Sequence, residues 1–92
     1  MEPFECVKGH VSGRVQGVGF RYFVSQHARA ESICGYVSNL PDGRVEFVLQ
    51  GEKPAIARML EVIRQGPSYS RVTDLDYRSM EIDSEIRDFR VR

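Results

Sequence analysis

Between Glu5 and Val15 the chain alternates in character: Val7, Gly9, Val11, Gly13 and Val15 share one side, and Cys6, Lys8, His10, Ser12 and Arg14 the other. A period of two with one small, apolar face predicts a strand covered on one side. Glycines on that inner face imply that something packs close against it. The segment Gln16-Gly17-Val18-Gly19-Phe20 then reads as a short glycine-bearing turn. A helix is expected over roughly 21–32. Phe20, Phe23, Val24, His27 and Ala28 give its stripe at helical spacing. Cys34 to Leu40 predicts a second strand, Pro41-Asp42-Gly43 a turn, and Arg44 to Gln50 a third strand with Val45, Phe47 and Leu49 inward. A second helix opens near Pro54, carries Ile56, Met59, Leu60 and Ile63 on one stripe, and stops at Gly66-Pro67. Ser70 to Ile82 is extended, but its inward positions shift from Val72 to Leu75 and Tyr77, which predicts a bulge near Thr73–Asp74. Phe89 to Arg92 fits a short edge strand.

The order β-α-β-β-α-β with a short tail is that of the split βαβ motif. Two amphipathic helices must then cover one face of an antiparallel sheet, an α+β ferredoxin-like sandwich occupying residues 1–92 as one domain. The opposite sheet face, bearing Lys8, His10 and Ser12, is expected to be open to solvent.

Charge narrows the partners. Thirteen basic residues balance thirteen acidic ones, for a net charge of zero. A general binder of nucleic acid or of a membrane surface would carry a basic excess, so neither partner is expected. No apolar run approaches the roughly 20 residues that cross a bilayer. The opening Met-Glu-Pro-Phe-Glu lacks the layout of a secretory leader, so a cytoplasmic location is expected. Cys6 and Cys34 are spaced neither as a metal site nor as a redox pair, and free thiols in a reducing compartment are expected, with a disulfide left open by sequence alone.

Candidate chemistry lies at two places. Gly17 and Gly19 let the backbone turn its N–H groups into one concavity, an anion nest. A helix start and Arg21 stand beside it, and a guanidinium grips two phosphate oxygens at once. The loop lacks the Gly-Lys-Ser/Thr ending of a Walker loop and the spacing of a dinucleotide fingerprint, and glycines alone also suit a plain tight turn. Asn39 precedes the Pro41-Asp42-Gly43 turn. Its amide suits either a bond to the turn backbone or the holding of a water. His10 and His27 have no partner at ligand or triad spacing and read as structural, and no serine has a visible base.

Taken together, the two places are more specific than either alone. The segment Val11 to Arg21, with its core Val-Gln-Gly-Val-Gly-Phe-Arg, resembles the phosphate-loop signature of the acylphosphatases. Gly35-Tyr36-Val37-Ser38-Asn39, followed by Asp42-Gly43-Arg44-Val45-Glu46 and Gly51, resembles their second signature. The resemblance spans nearly the whole chain. It implies a small monomer without metal or cofactor that takes a small-molecule acyl phosphate and binds phosphate or sulfate as an anion. It also implies that Arg21 binds the substrate phosphate together with the main chain of Gln16, Gly17, Val18, Gly19 and Phe20, and that Asn39 positions the attacking water. Three positions depart from the family pattern: Ser38 replaces a longer or basic side chain, Glu31-Ser32-Ile33 lacks a glycine, and Arg92 stands where an aromatic is frequent. Two other readings of the fold are a non-catalytic anion-binding module and a carbamoyl-phosphate domain of a larger enzyme. The pairing of Arg21 with Asn39 argues against the first, and the short length of the chain against the second.

Overall fold

The computed structural model describes residues 3–92. Its elements are β1 (Phe4–Arg14), α1 (Phe20–Ala30), β2 (Cys34–Asn39), β3 (Val45–Glu52), α2 (Lys53–Gln65), β4 (Arg71–Met80) and β5 (Phe89–Val91). They form a sheet of five strands in the order β4-β1-β3-β2-β5. The four long strands are antiparallel, as the hairpin and helix crossovers require. The short β5 joins β2 in parallel, so the complete sheet is mixed. The predicted bulge is present: Ser12 faces Asp74 while Gly13 faces Val72, leaving Thr73 as the extra residue of β4.

The core lies between the helices and one sheet face. Val7 and Val11 from β1, Val45, Phe47 and Leu49 from β3, and Val37 from β2 meet Phe20, Val24 and Ala28 of α1 and Ile56, Met59 and Ile63 of α2. At Gly9 the strand and the core approach closely. A Cβ there would collide with the Phe47 ring and the Asp76 carbonyl, which is the packing its inner-face glycine implied.

Three details of α1 differ from expectation. Its stripe includes the buried Ser25, and His27 is exposed. Ser25 is accepted in the core because its hydroxyl donates to the Tyr22 carbonyl at 2.8 Å, which hides its polarity. His27, at the margin of the stripe, instead lies against the Phe23 ring from outside, with ring centroids 4.6 Å apart. The helix also ends at Ala30, two residues early, because Ser32 takes a left-handed φ of 58°.

The second sheet face is only partly open. Val48 and Gln50 point to it yet are 7% and 6% exposed, because the connection between β4 and β5 folds across. The Gln50 carboxamide fastens it, donating to the Asp83 carbonyl and accepting from the Asp83 N–H, both at 2.9 Å. Cys6 and Cys34 flank Gln50 on β1 and β2 and are free thiols. Two strand spacings, about 9.6 Å, separate their backbones, beyond the roughly 7 Å a disulfide can span. Burial, and then the Asp83 charge, push the Cys6 thiol up.

Candidate active site

β1, α1, β2 and β5 converge at one end of the sheet on a cleft of ≈ 420 Å³ lined by Val15, Gly17, Gly19, Phe20, Arg21, Tyr22, Asn39 and Val91. The fold thus unites the two sequence motifs, which leave β1 and β2 on strands separated by β3.

The loop from β1 to α1 is shaped by its glycines. Gly17 and Gly19 have φ of 73° and 77°, a left-handed region costly for residues with a Cβ. Nothing lies within 4 Å of a Cβ at either site, so the glycines serve conformation and leave the loop's surface clear. Gly19 caps α1 without any side-chain hydrogen bond. The first N–H groups of the helix, which have no carbonyl of their own turn to reach, are therefore left for a ligand. Val15 and Phe20 are buried at the ends of the loop, and Val18 packs half-buried on the core.

Arg21 lies in the first turn of α1, and its Nη1 donates to the main-chain oxygen of Arg92 at 2.8 Å. That contact holds one side of the guanidinium and leaves the rest of its fork toward the cleft. Arg92 is anchored in turn, its guanidinium 3.9 Å above the Tyr36 ring centroid. Behind it, the Tyr36 hydroxyl donates to Glu46 at 2.6 Å. Burial, then this bond to a carboxylate, push the Tyr36 phenol up to about 12. Glu46 is held below the usual carboxylate range, first by the Tyr36 bond and then by His10 and Lys8.

Asn39 ends β2. Its Oδ1 is buried and has no hydrogen-bond partner among the described residues. The turn that follows does not use it: Asp42 supplies the side-chain bonds there, accepting from the Arg44 N–H at 3.1 Å and its Nε at 2.8 Å. These bonds hold the Asp42 carboxyl below its ordinary range. A buried, unpaired amide oxygen costs about 1–3 kcal/mol.

Of the sequence-predicted residues, Gly17, Gly19, Phe20, Arg21 and Asn39 line the cleft, while the side chains of Gln16 and Val18 turn away from it. Gln16 donates instead to the carbonyls of Leu40 and Arg44. Sequence reasoning missed Val15, Tyr22 and Val91, which with Phe20 make an apolar wall. Tyr22 could have been found, since it neighbours Arg21 on a helix and falls off the buried stripe; Val91 carries no such signal. Among the described residues, no three His, Cys, Asp or Glu side chains converge as metal ligands, and no helix is long and apolar enough to cross a membrane.

The acylphosphatase family model matches residues 7–91. The chain belongs to the acylphosphatase family. It is 47% identical over 81 residues to an acylphosphatase of Chlorobaculum tepidum, covering 88% of each chain. It is similar to the structure of an acylphosphatase from Coxiella burnetii, with a TM-score of 0.92 and 36% identity over 97% of this chain and 93% of that one. The acylphosphatase of Bacillus subtilis matches with the same TM-score of 0.92, at 35% identity over 96% of this chain and 98% of that one. The phosphate-loop and second-signature resemblance seen in the sequence is therefore that of a whole acylphosphatase fold.

Proposed function

We propose that this protein hydrolyses the carboxyl-phosphate bond of small-molecule acyl phosphates, with Arg21 and the main-chain amides of residues 16–20 holding the phosphate and Asn39 holding the attacking water. The observation that carries the reading is that Asn39, Arg21 and the open glycine loop, far apart in sequence, line one cleft.

The chemistry asks little of the side chains. The departing carboxylate comes from an acid of pKa about 4, so it leaves without a proton. A water oxygen attacks phosphorus in line, the bond from phosphorus to the acyl oxygen breaks, and its electron pair leaves with the carboxylate. The water's proton passes to a phosphate oxygen, since asparagine cannot take it. What remains is to neutralise phosphoryl charge and to aim the water. Charge-assisted bonds from Arg21 do the first, at roughly 1.5–3 kcal/mol each, beside the loop amides. Asn39 does the second. The acyl group lies on the wall of Val15, Phe20, Tyr22 and Val91, for which the cleft has room beyond a phosphate. Inorganic phosphate and sulfate should occupy the same loop. The protein acts as a cytoplasmic monomer in this reading, which the two free thiols suit.

Asn39→Ala is the deciding variant. A water-positioning group hardly touches bound phosphate, so its loss should lower kcat by on the order of 10²-fold and leave inhibition by phosphate nearly unchanged. If Asn39→Ala is less stable but turns over at the wild-type rate per folded molecule, the residue only shapes the hairpin and the reading fails.

A further inference from the structure

Arg21 and Asn39 stand on separate pieces of chain. Arg21 belongs to the loop and first turn of α1, and Asn39 to the β2–β3 hairpin. In-line attack needs the two pieces in register to well under an ångström. The apolar anchors of the loop, Val15, Val18 and Phe20, go into the core. Among the described residues, one loop side chain makes hydrogen bonds across to the hairpin, and it is Gln16. Its Nε2 donates to the Leu40 carbonyl at 2.8 Å and to the Arg44 carbonyl at 2.9 Å. These carbonyls are the two ends of the turn, which is itself closed by Leu40 N–H to Arg44 and Gly43 N–H to Leu40. Leu40 directly follows Asn39. Both amide hydrogens of Gln16 are thus spent on the rigid turn that carries the water-holding residue.

We infer that Gln16 is a positioning residue, whose carboxamide sets the separation between the phosphate-binding loop and the water on Asn39. Its side chain does not touch the substrate. The inference rests on the roles proposed above for Arg21 and Asn39. The chemistry of the contact restricts the residue type: Glu would present oxygens to two carbonyls, and Met would fill the space without donating.

The test measures kcat on an aryl acyl phosphate, inhibition by inorganic phosphate, and folded fraction, for Gln16→Met, Gln16→Glu and Asn39→Ala, and for Gln16→Met combined with Asn39→Ala. Per folded molecule, Gln16→Met should lose on the order of 10- to 10²-fold in kcat, the scale of a misplacement near 1 Å. Its inhibition by phosphate should stay within about threefold of wild type, because Arg21 and the amides remain. Gln16→Glu should be slower still. In the Asn39→Ala background there is no held water left to misplace, so adding Gln16→Met should cost little more. The inference is overturned if Gln16→Met or Gln16→Glu turns over like wild type, if Gln16→Glu is the faster of the two, if the loss follows phosphate affinity, or if the losses multiply in the double variant. Losses that multiply beside a crippled Asn39→Ala remove the role of Gln16 alone. A fully active Asn39→Ala removes the reading of the site itself.

Discussion

Replacing Ser32 by glycine should stabilise the protein. The end of α1 is a Schellman closure: Ile33 N–H reaches the Ala28 carbonyl at 2.8 Å and Ser32 N–H reaches that of Arg29 at 3.1 Å. The closure needs a left-handed residue between them, and Ser32 supplies it with φ of 58°. An L-residue with a Cβ pays roughly 1–2 kcal/mol for that conformation. Ser32 recovers none of it, since it is exposed and its hydroxyl makes no hydrogen bond among the described residues. Glycine would escape the strain but lose about 0.5–1 kcal/mol to its greater freedom when unfolded. The net gain should be about 0.5–1 kcal/mol, which for a chain of this size raises Tm by about 2–8 °C. Urea melts should show a higher midpoint with an unchanged slope, since the surface exposed on unfolding is the same. Asparagine, which tolerates the left-handed region, should fall between serine and glycine, and alanine should gain nothing. Turnover should be untouched, because Ser32 lies at the far end of α1 from Arg21. If Ser32→Gly fails to raise the midpoint, or Ser32→Ala raises it equally, the strain does not sit in this φ angle.

Arg21→Ala should abolish both turnover and inhibition by phosphate, and Arg21→Lys should not restore them, because an ammonium cannot make the fork's paired contact; phosphate inhibition that survives Arg21→Ala would refute the loop as the anion site. Hydrolysis of an aryl acyl phosphate should continue undiminished in excess chelator, as expected of a site in which no metal ligands converge among the described residues; activity lost to chelator and restored by added metal would contradict the mechanism. The Tyr36 phenol, raised to about 12 in the folded protein, contributes stability that is complete below its unfolded value near 10. That contribution should be lost as pH rises from about 10 to 12, and urea midpoints across this window should fall less steeply in Tyr36→Phe than in wild type.

The sequence foretold elements more fully than it foretold the bonds between them. The period-two run of β1 and the stripe of α2 each declare their own inner face, and the parity change around Thr73 marked the bulge because side-chain direction in a strand reverses with one extra residue. The solvent-open second face was misjudged for a related reason. Residues 81–88, Glu-Ile-Asp-Ser-Glu-Ile-Arg-Asp, are as polar as any solvated loop, and what draws them across is Gln50 bonding to the main chain of Asp83. A side chain bonded to a backbone leaves no complementary residue type at the other end, so no pattern reports it. Ser25 is the same case within one helix, its hydroxyl absorbed by the Tyr22 carbonyl.

The candidate site shows the same division. Gly17, Gly19, Arg21 and Asn39 are legible because the roles proposed for them ask for their residue types: a left-handed turn, a fork of donors, an amide. The groups that set their mutual geometry act through carbonyls. Gln16 holds the Leu40–Arg44 turn, and the Arg92 main chain holds Arg21, neither with a side-chain counterpart to betray it. Arg92 shows how such contacts tolerate departures from a family pattern. Its backbone oxygen does the work on Arg21, so the side chain at this position is free to differ from the frequent aromatic. Its guanidinium has instead settled on the Tyr36 ring, holding the strand end from the other side.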